Sequence, residues 1–289
     1  MRRSSNKGTH REPPAGKARR PAAAALRDRW DRLHAGDREP FPDASRVTRL
    51  AKKHADFASW VEDQGGAESI GEGVQAAWAD FHAGNFPRAI EAGGKLGALG
   101  ATAANKAAAI HSLQAGGGQA RALKLLEAAV KRAEQALELL PDYANAHYTL
   151  ALALGRYSQR ISILQALADG LATRVREHLE VTLELEPRHA EGHIALGLYH
   201  AEVVSKLGGL MARVTYGATQ DAALEHFRRA IKLVPESPIA HMEYAHGLLL
   251  LDARGNRDAA VELYEQAASF EPADAMEELD VERAKRGPS

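Results

Sequence analysis

Histidine is the side chain that most readily exchanges a proton near neutral pH or binds a transition metal. Three histidines recur here, each six residues after a proline: His147, His193 and His241 follow Pro141, Pro187 and Pro235. Neighbouring helices lie roughly 8–10 Å apart, whereas a zinc–histidine bond is about 2.0–2.1 Å long, so histidines at one register of successive helices do not share a metal. We predict neutral, structural imidazoles hydrogen-bonded to a backbone carbonyl or a carboxylate, with a pH-sensitive set as the alternative.

Other residue patterns that support catalysis or cofactor binding are absent from the sequence. The chain has no cysteine, which excludes thiol nucleophiles, disulfides and cysteine-ligated metals. His193 and His200 lie seven residues apart, unlike the spacing of a zinc protease, and no phosphate-binding glycine loop or Gly-x-Ser-x-Gly turn occurs. The carboxylates Glu277, Glu278 and Asp280 fit a solvated helix face. We therefore predict no enzyme, no metal and no cofactor.

Composition limits the fold class. The chain holds 57 alanines against 12 valines and 8 isoleucines, which favours helices and leaves few residues for a sheet. Its 37 basic and 38 acidic residues give a formal charge of −1, so any charge effect must be local. The charge-free stretch at residues 143–155 is shorter than the roughly 18 apolar residues that span a bilayer. Because the N-terminus also lacks the apolar run of a signal peptide, we predict an all-α, cytoplasmic protein that does not enter a membrane.

Prolines and arginines dominate residues 1–45, which we predict to be a disordered tail. Seven basic residues and one acidic residue in its first 20 positions allow weak contact with nucleic acid or an acidic surface. The apolar spacing of residues 44–62 predicts an amphipathic helix within a single helical domain at residues 46–285, with a disordered end at 286–289. The further predicted helices are 70–83, 86–96, 100–114, 119–140, 143–168, 170–186, 189–207, 219–234, 238–253, 256–270 and 273–285.

Four prolines each end a predicted helix, and the residues around them repeat. The spacings between Pro141, Pro187, Pro235 and Pro272 are 46, 48 and 37 residues. Twelve residues before each proline stands a small or β-branched residue. Eight before it stands a residue that is bulky in three of the four segments, and five before it stands a small one. These residues are Ala129, Ala133 and Ala136; Val175, Leu179 and Thr182; Ala223, Phe227 and Ala230; and Ala260, Tyr264 and Ala267. Agreement at several fixed offsets indicates a structural repeat with one helix-packing face.

This pattern, with the proline followed by Leu-Ala or Leu-Gly in the next helix, resembles the tetratricopeptide repeat (TPR). The resemblance covers about residues 70–285. It implies a right-handed stack of antiparallel helix pairs, a TPR-like α-solenoid. The family's repeat of about 34 residues is shorter than the spacings here, which implies lengthened repeats with insertions at residues 157–169 and 207–219.

Repeats extended by glycine-containing loops are similar to two relatives, the regulator of microtubule dynamics proteins and the T-component associated with TRAP transporters. The T-component resemblance implies a periplasmic lipoprotein, and the lack of a signal peptide and of a lipid-bearing cysteine argues against that role. The microtubule-regulator resemblance implies scaffolding through the repeat domain.

The TPR resemblance also implies a concave groove, lined by the first helix of each pair, as the binding site. Ten residues match groove-facing positions: Asn145, Tyr148, Leu152, Arg156, Glu191, Ile194, Leu198, Glu202, Met242 and His246. They predict a non-enzymatic scaffold that binds a peptide or helix of another protein, unless the insertions fill the groove. The alternative is a small-ligand carrier, whose two insertions close a cavity lined by Tyr157, Met211 and Tyr216.

Overall fold

The computed structural model describes residues 23–114 and 118–287, which form α-helices joined by short turns. Within these ranges there is no strand, which confirms the all-α fold class. In chain order the helices are α1 (Ala23–Leu33), α2 (Ala44–Lys53), α3 (Ala55–Asp63), α4 (Gly66–His82), α5 (Phe86–Gly94), α6 (Gly97–Gln114), α7 (Gly118–Leu139), α8 (Ala144–Ser158), α9 (Ile163–Ala168), α10 (Leu171–Leu185), α11 (Ala190–Leu207), α12 (Gly209–Tyr216), α13 (Gln220–Leu233), α14 (Pro238–Leu251), α15 (Arg257–Ser269) and α16 (Ala275–Ala284).

Five helix pairs build the solenoid. A first and a second helix pack together in α4–α5, α6–α7, α8–α10, α11–α13 and α14–α15. Each second helix also packs on the next first helix, so that α5 contacts α6, α7 contacts α8, and the pattern continues to α15 and α16. The helices α9 and α12 lie within the two long insertions, between the first and second helices of their pairs.

The repeat positions form the core between paired helices. Ala133 and Phe227, both eight residues before a proline, are fully buried. The ring of Phe227 lies so close to α11 and α14 that a Cβ added at Gly197 or Gly247 would stand 2.8 Å or 2.3 Å from a ring carbon. The bulky position of the repeat therefore needs glycine opposite it, because the ring occupies the volume where other side chains would begin.

A larger core forms around α4, where Trp78 and Phe81 are almost completely buried. Phe57 from α3 joins the same cluster. Trp30 from α1 meets Trp78 edge to face, with ring centroids 6.0 Å apart, and its indole Nε1–H donates to the carbonyl of Glu39 at 2.6 Å. Aromatic burial of this kind anchors α1 to the first helix pair.

The predicted tail boundary at residue 45 is wrong, because described residues from Ala23 onward belong to the folded domain. The side chains of Leu26 and Trp30 are one turn apart on α1 and are both buried against the core. Further along, His34, Asp37 and Glu39 are buried polar residues. The predicted tail in residues 1–22 and the end at 288–289 lie outside the described residues.

Three predicted elements divide differently in the structure. The helix expected over 44–62 is two helices, α2 and α3, because the chain is extended at His54 (φ −126°, ψ 109°). The helix expected over 143–168 ends at Ser158 and resumes as α9. The insertion at 207–219, expected as a loop, contains α12, which begins after Gly208 and ends at Gly217, both with positive φ.

The two ends of the solenoid meet. Asp274, which caps α16, accepts a hydrogen bond from His82 of α4 at 2.6 Å between Oδ2 and Nδ1. Arg32 of α1 pairs with Glu277 at 3.2 Å, so Glu277 contacts the protein instead of lying on a free solvated face. α16 therefore joins the last helix pair to the first one.

The glycine opposite Phe227 gives a stability test. We expect Gly247→Ala to lower the free energy of unfolding by about 1–3 kcal/mol, because its Cβ forces the buried ring to move. The matched control is Gly155→Ala in α8, where a Cβ would meet nothing within 4 Å, and we expect about 0.5–1 kcal/mol of added stability. Urea unfolding followed by circular dichroism measures both, and equal stability of the two variants would contradict the packing described here.

Candidate functional site

The concave face of the solenoid is occupied by the chain's own residues 34–39, named here the inner segment. The carbonyl of Gly36 accepts a hydrogen bond from the backbone N–H of Glu191 on α11, at 3.0 Å. The carbonyl of Asp37 accepts from the side-chain amide of Asn145 on α8, also at 3.0 Å. The inner segment thus binds two first helices through its backbone. These contacts do not support the alternative that the insertions fill the groove, because the segment that lies there is residues 34–39.

A buried lysine holds the side chain of Asp37. Lys106 of α6 donates to Asp37 Oδ2 at 2.7 Å and to Glu191 Oε1 at 2.8 Å, and its side chain is almost fully buried. Burial alone would lower the pKa of Lys106, but the carboxylates of Asp37 and Glu191 raise it above its ordinary value. Burial would raise the pKa of Asp37, yet His34 and Lys106 keep it well below its usual range. The three groups therefore form a buried ionic cluster.

The carboxyl group of Glu39 lies in a second polar cluster. Its Oε2 accepts from Asn145 Nδ2 at 2.8 Å, and its Oε1 accepts from the hydroxyl of Tyr143. Asn145 Oδ1 in turn accepts from His189 Nε2 at 2.8 Å, while His189 Nδ1 accepts from the backbone N–H of Gly192. Burial raises the pKa of Glu39 and lowers the pKa of His189 to about 3. His189 is therefore neutral, with its proton on Nε2.

Two further histidines connect the inner segment to the closing contact of the solenoid. His34 Nδ1 lies 2.9 Å from Asp37 Oδ1, and His82 Nδ1 lies 2.6 Å from Asp274 Oδ2. The two rings face each other through their Nε2 atoms at 3.2 Å. Each ring also contacts a carboxylate through its Nδ1, so the four side chains form one continuous chain of contacts that ends on α16. Burial lowers the pKa of His82 below its ordinary value, which favours the neutral imidazole.

The contacts of this chain of groups hold the inner segment and α16 in place. A pocket of about 380 Å³ opens between α1 and α16 and includes His82 and Asp274 in its wall. Both ring nitrogens of His82 already have partners in the protein. Within residues 23–114 and 118–287, no three or more His, Cys, Asp or Glu side chains are placed to hold a metal ion.

The ten predicted groove residues take different positions in the structure. Asn145 and Glu191 contact the inner segment directly, and Tyr148 and Ile194 are buried near it. Tyr148 packs beside His189, with ring centroids 4.7 Å apart. Met242 is buried in the core shared by α14 and α16 and does not face an open groove. The remaining five, which are half-buried, are Leu152, Arg156, Leu198, Glu202 and His246.

The three residues of the predicted ligand cavity do not surround one space. Tyr157 packs on the cluster that contains Leu154 and Leu171. Tyr216 packs on a different cluster, beside Tyr199, and the side chain of Met211 is 57% exposed. The described contacts therefore give no cavity closed by both insertions.

The histidines that follow the prolines make local contacts. His147 Nε2 donates to the Pro141 carbonyl at 2.9 Å, and its Nδ1 faces His178 Nδ1, also at 2.9 Å. The same pair recurs one unit later in His193 and His226. The first ring must carry its proton on Nε2, so the second ring donates from Nδ1. The third unit differs, because His241 binds the Ser237 carbonyl and packs on Phe270.

Sequence reasoning missed several residues of the site, among them the three acidic and histidine side chains of the inner segment and their buried cation: His34, Asp37, Glu39 and Lys106. Lys106 carried a signal, since it is the one charged residue between Lys95 and Arg121 in an alanine-rich helix. If this helix packs inside the solenoid, its ammonium group is buried, and a buried ammonium group needs a carboxylate partner. The three residues of the inner segment carried no such signal, because their partners lie far away in the sequence.

Comparisons with known proteins agree with this architecture. Residues 101–286, more than half of the chain, match the family model described as regulator of microtubule dynamics protein 1-3. The chain belongs to this family. The inner segment, at residues 34–39, precedes the matched region of the regulator of microtubule dynamics family. A comparison with curated proteins gives no match.

Solved structures support the fold alone. A thermophilic TPR protein of Thermus thermophilus has a TM-score of 0.53 and 15% identity, over 75% of this chain and 99% of its own. The human IFIT1 dimer with PPP-AAAA has a TM-score of 0.39 and 18% identity, over 80% of this chain and 59% of its own. The first likeness shows the TPR-like solenoid expected of this family member. In the part of the chain that the structure describes, no helix is long and apolar enough to cross a bilayer.

The buried lysine of this regulator-family chain gives a test of the ionic cluster. Lys106→Met should lower the free energy of unfolding by about 3–5 kcal/mol, because Asp37 and Glu191 then lie buried without a counter-charge. Lys95→Met is the matched control; its ion pair with Glu91 is exposed, and we expect a change within about 0.5 kcal/mol. Adding Asp37→Asn to Lys106→Met should restore part of the loss. Equal urea midpoints for the two lysine variants would contradict the cluster.

The neutral histidines give a pH dependence. Burial lowers the pKa of His189 to about 3 and the pKa values of His193 and His200 to about 4. Below about pH 6.5 the unfolded chain binds protons that the folded chain does not, so stability is fully present above that pH and falls as the pH decreases.

Urea unfolding at about pH 7.5 and pH 5.0 measures this dependence, and we expect His189 alone to account for a loss of about 2 kcal/mol. His189→Gln should be less stable at the higher pH yet decline less as the pH falls, because one titrating group is gone. A wild-type midpoint that does not move between the two pH values would refute the assignment of neutral, buried imidazoles.

Proposed function

We propose that this chain is a non-enzymatic protein-interaction scaffold, and that its concave face binds a short acidic turn of a partner protein. The observation that supports this most directly is the way in which the concave face already holds residues 34–39. The α-solenoid presents donors from three first helices, α6, α8 and α11, to one short stretch of chain. A partner segment with the same groups in the same order would meet the same donors.

The recognition chemistry follows from the contacts of the inner segment. Two carbonyls are bound, those of Gly36 and Asp37, and such backbone contacts do not depend on the side chains of the segment. Selectivity comes from the side chains, because the ammonium group of Lys106 binds the carboxylate of Asp37, and the amide and phenol of α8 and its preceding turn bind the carboxylate of Glu39. The preferred partner is therefore an Asp-x-Glu segment in a turn like this one, where the Arg38 N–H donates to the His34 carbonyl at 2.9 Å, since charge-assisted hydrogen bonds are the strongest of these contacts.

Covalent attachment makes the inner segment a strong competitor. A tethered segment has an effective concentration in the millimolar range or above, so a partner in solution must displace it. Trp30 and the rest of α1 pack on α4 independently of the two acidic side chains. Weakening only the acidic contacts should therefore free the concave face while α1 stays docked.

A peptide in trans tests this proposal. We expect a labelled peptide of residues 34–43 to bind the full-length Asp37→Ala/Glu39→Ala variant, detected as a rise in fluorescence anisotropy, and to bind the wild-type chain much more weakly. Adding Lys106→Ala to the variant should weaken binding by about tenfold or more, because one charge-assisted hydrogen bond is lost.

The matched control is the same peptide with Asn and Gln at its two acidic positions. It should bind the Asp37→Ala/Glu39→Ala variant at least about tenfold more weakly. Circular dichroism verifies that each chain keeps its helices. If the folded variant binds neither peptide, or binds both equally, the concave face does not select acidic segments and the proposal is wrong.

A further inference from the structure

The helix α12 exposes an apolar surface that nothing in the described chain covers. Leu210, Met211 and Val214 are 77%, 57% and 75% exposed. At 100° per residue these three side chains fall on one arc of the helix, and Arg213 stands at its border. Large apolar side chains grouped in this way mark an interaction surface.

The inner face of α12 is fixed to the solenoid, so its outer face keeps this orientation. Ala212 is fully buried, and its carbonyl accepts from the backbone N–H of Ala218 at 3.1 Å. The carbonyl of Tyr216 accepts from Arg176 of α10 at 2.8 Å. A flexible loop could turn its apolar side chains inward. α12 is instead a docked helix of eight residues, so the side chains of its outer face stay exposed to solvent.

Three long stretches of the chain around the connections between paired helices contain no acidic residue. The chain has 38 acidic residues in 289, yet none lies in residues 92–126, 143–168 or 203–220. The first and third stretches include a whole connection from a first helix to a second helix, and the second includes the connection from α8 to α10 except its last two residues, Asp169 and Gly170. The basic residues in these stretches are Lys95, Lys106, Arg121, Lys124, Arg156, Arg160, Lys206 and Arg213.

Hydrogen bonds show that these connections are neighbours along one edge of the solenoid. Arg160, after α8, donates from Nη2 to the Ser112 carbonyl near the end of α6, at 2.6 Å. Gln159 donates to Glu202 near the end of α11, at 2.8 Å, and Glu202 also forms an ion pair with Lys206 at 2.7 Å. Leu113, beside Ser112, is 52% exposed. We name this surface the connection edge: Leu113, Arg160, Lys206 and the outer face of α12.

We propose that the connection edge docks on an anionic membrane surface, with the outer face of α12 entering the lipid headgroup region. An interfacial helix buries its apolar arc about 5–10 Å deep and keeps cationic side chains at the headgroups. α12, about 12 Å long, places Leu210, Met211 and Val214 in that position, with Arg213 at the border of the arc. This surface is independent of the concave face.

Charge favours lipid over a second copy of the chain. A twofold symmetric contact would set two connection edges against each other and bring like charges, among them Arg160 and Arg213, face to face. Three exposed apolar side chains also supply little of the roughly 1,200 Å² or more that a stable protein interface buries. An anionic bilayer meets both features, because it attracts the cations and accepts the apolar arc.

Co-sedimentation of the full-length chain with phosphatidylcholine vesicles, with and without phosphatidylserine, tests the proposal. We expect sedimentation with the anionic vesicles, weaker at high salt because surface charges are screened. Leu210→Ser/Val214→Ser should lower the partition coefficient by about tenfold or more, and Arg213→Glu should lower it on anionic vesicles only. The matched control is Leu185→Ser, which removes an exposed leucine from α10 and should leave sedimentation unchanged.

Several results would overturn the proposal. They are an absence of wild-type sedimentation with anionic vesicles, equal sedimentation with neutral ones at every salt concentration, or an equal effect of Leu185→Ser and Leu210→Ser/Val214→Ser. Light scattering distinguishes the alternative occupant, because a dimer that Leu210→Ser/Val214→Ser dissociates would assign the surface to self-association. Failure of any of these measurements leaves the peptide test of the concave face unaffected.

Discussion

A positive charge in the middle of an alanine-rich helix has to find counter-charges, because a buried ammonium group without them costs several kcal/mol. Lys106 finds Asp37, 69 residues earlier, and Glu191, 85 residues later. One side chain therefore brings the N-terminal part of the fold and the fourth helix pair to the same side of α6. The position of Asp37 then determines where His34 and Glu39 lie, and through His34 the constraint reaches the contact that joins α16 to α4.

Small residues make this convergence possible. A Cβ on Gly100 would stand 2.3 Å from the carbonyl oxygen of Gly93, so α5 and α6 approach with almost no side chain between them. Alanines fill most of the buried positions of α6, including Ala103, Ala104 and Ala107. Side chains this small allow neighbouring helices to approach closely. The same residue types that favour helices over β-structure in this sequence thus also allow the close packing of its helices.

Local periodicity and repeats predicted most of the solenoid. The offsets around Pro141, Pro187 and Pro235 place Ala133, Leu179 and Phe227 in the core, where the structure has them, because packing between paired helices repeats at fixed sequence distances. The inner segment could not be found in this way. Its partners are Lys106, Asn145 and Glu191, and no sequence period connects them with residues 34–39.

The predicted helix boundaries are wrong where one residue changes the direction of the chain. Residues 44–62 and 143–168 keep a helical pattern of apolar residues through their breaks, so periodicity shows one helix while the backbone at His54 or after Ser158 makes two. α12 was not predicted, for the opposite reason. Its apolar residues face solvent, whereas a prediction from periodicity takes apolar residues to face the core.

The interior and the connection edge divide the charged groups of the chain between them. Carboxylates gather where cations are buried, as at Lys106, whereas the stretches 92–126, 143–168 and 203–220 contain none. A buried ion pair is selective because each charge excludes partners of its own sign. An edge with few acidic side chains attracts anions over a longer surface, with less energy per charge. The concave face therefore suits one short acidic segment, whereas the connection edge suits an extended surface of distributed negative charge. The formal charge of −1 conceals this separation, because it sums over two surfaces with opposite requirements.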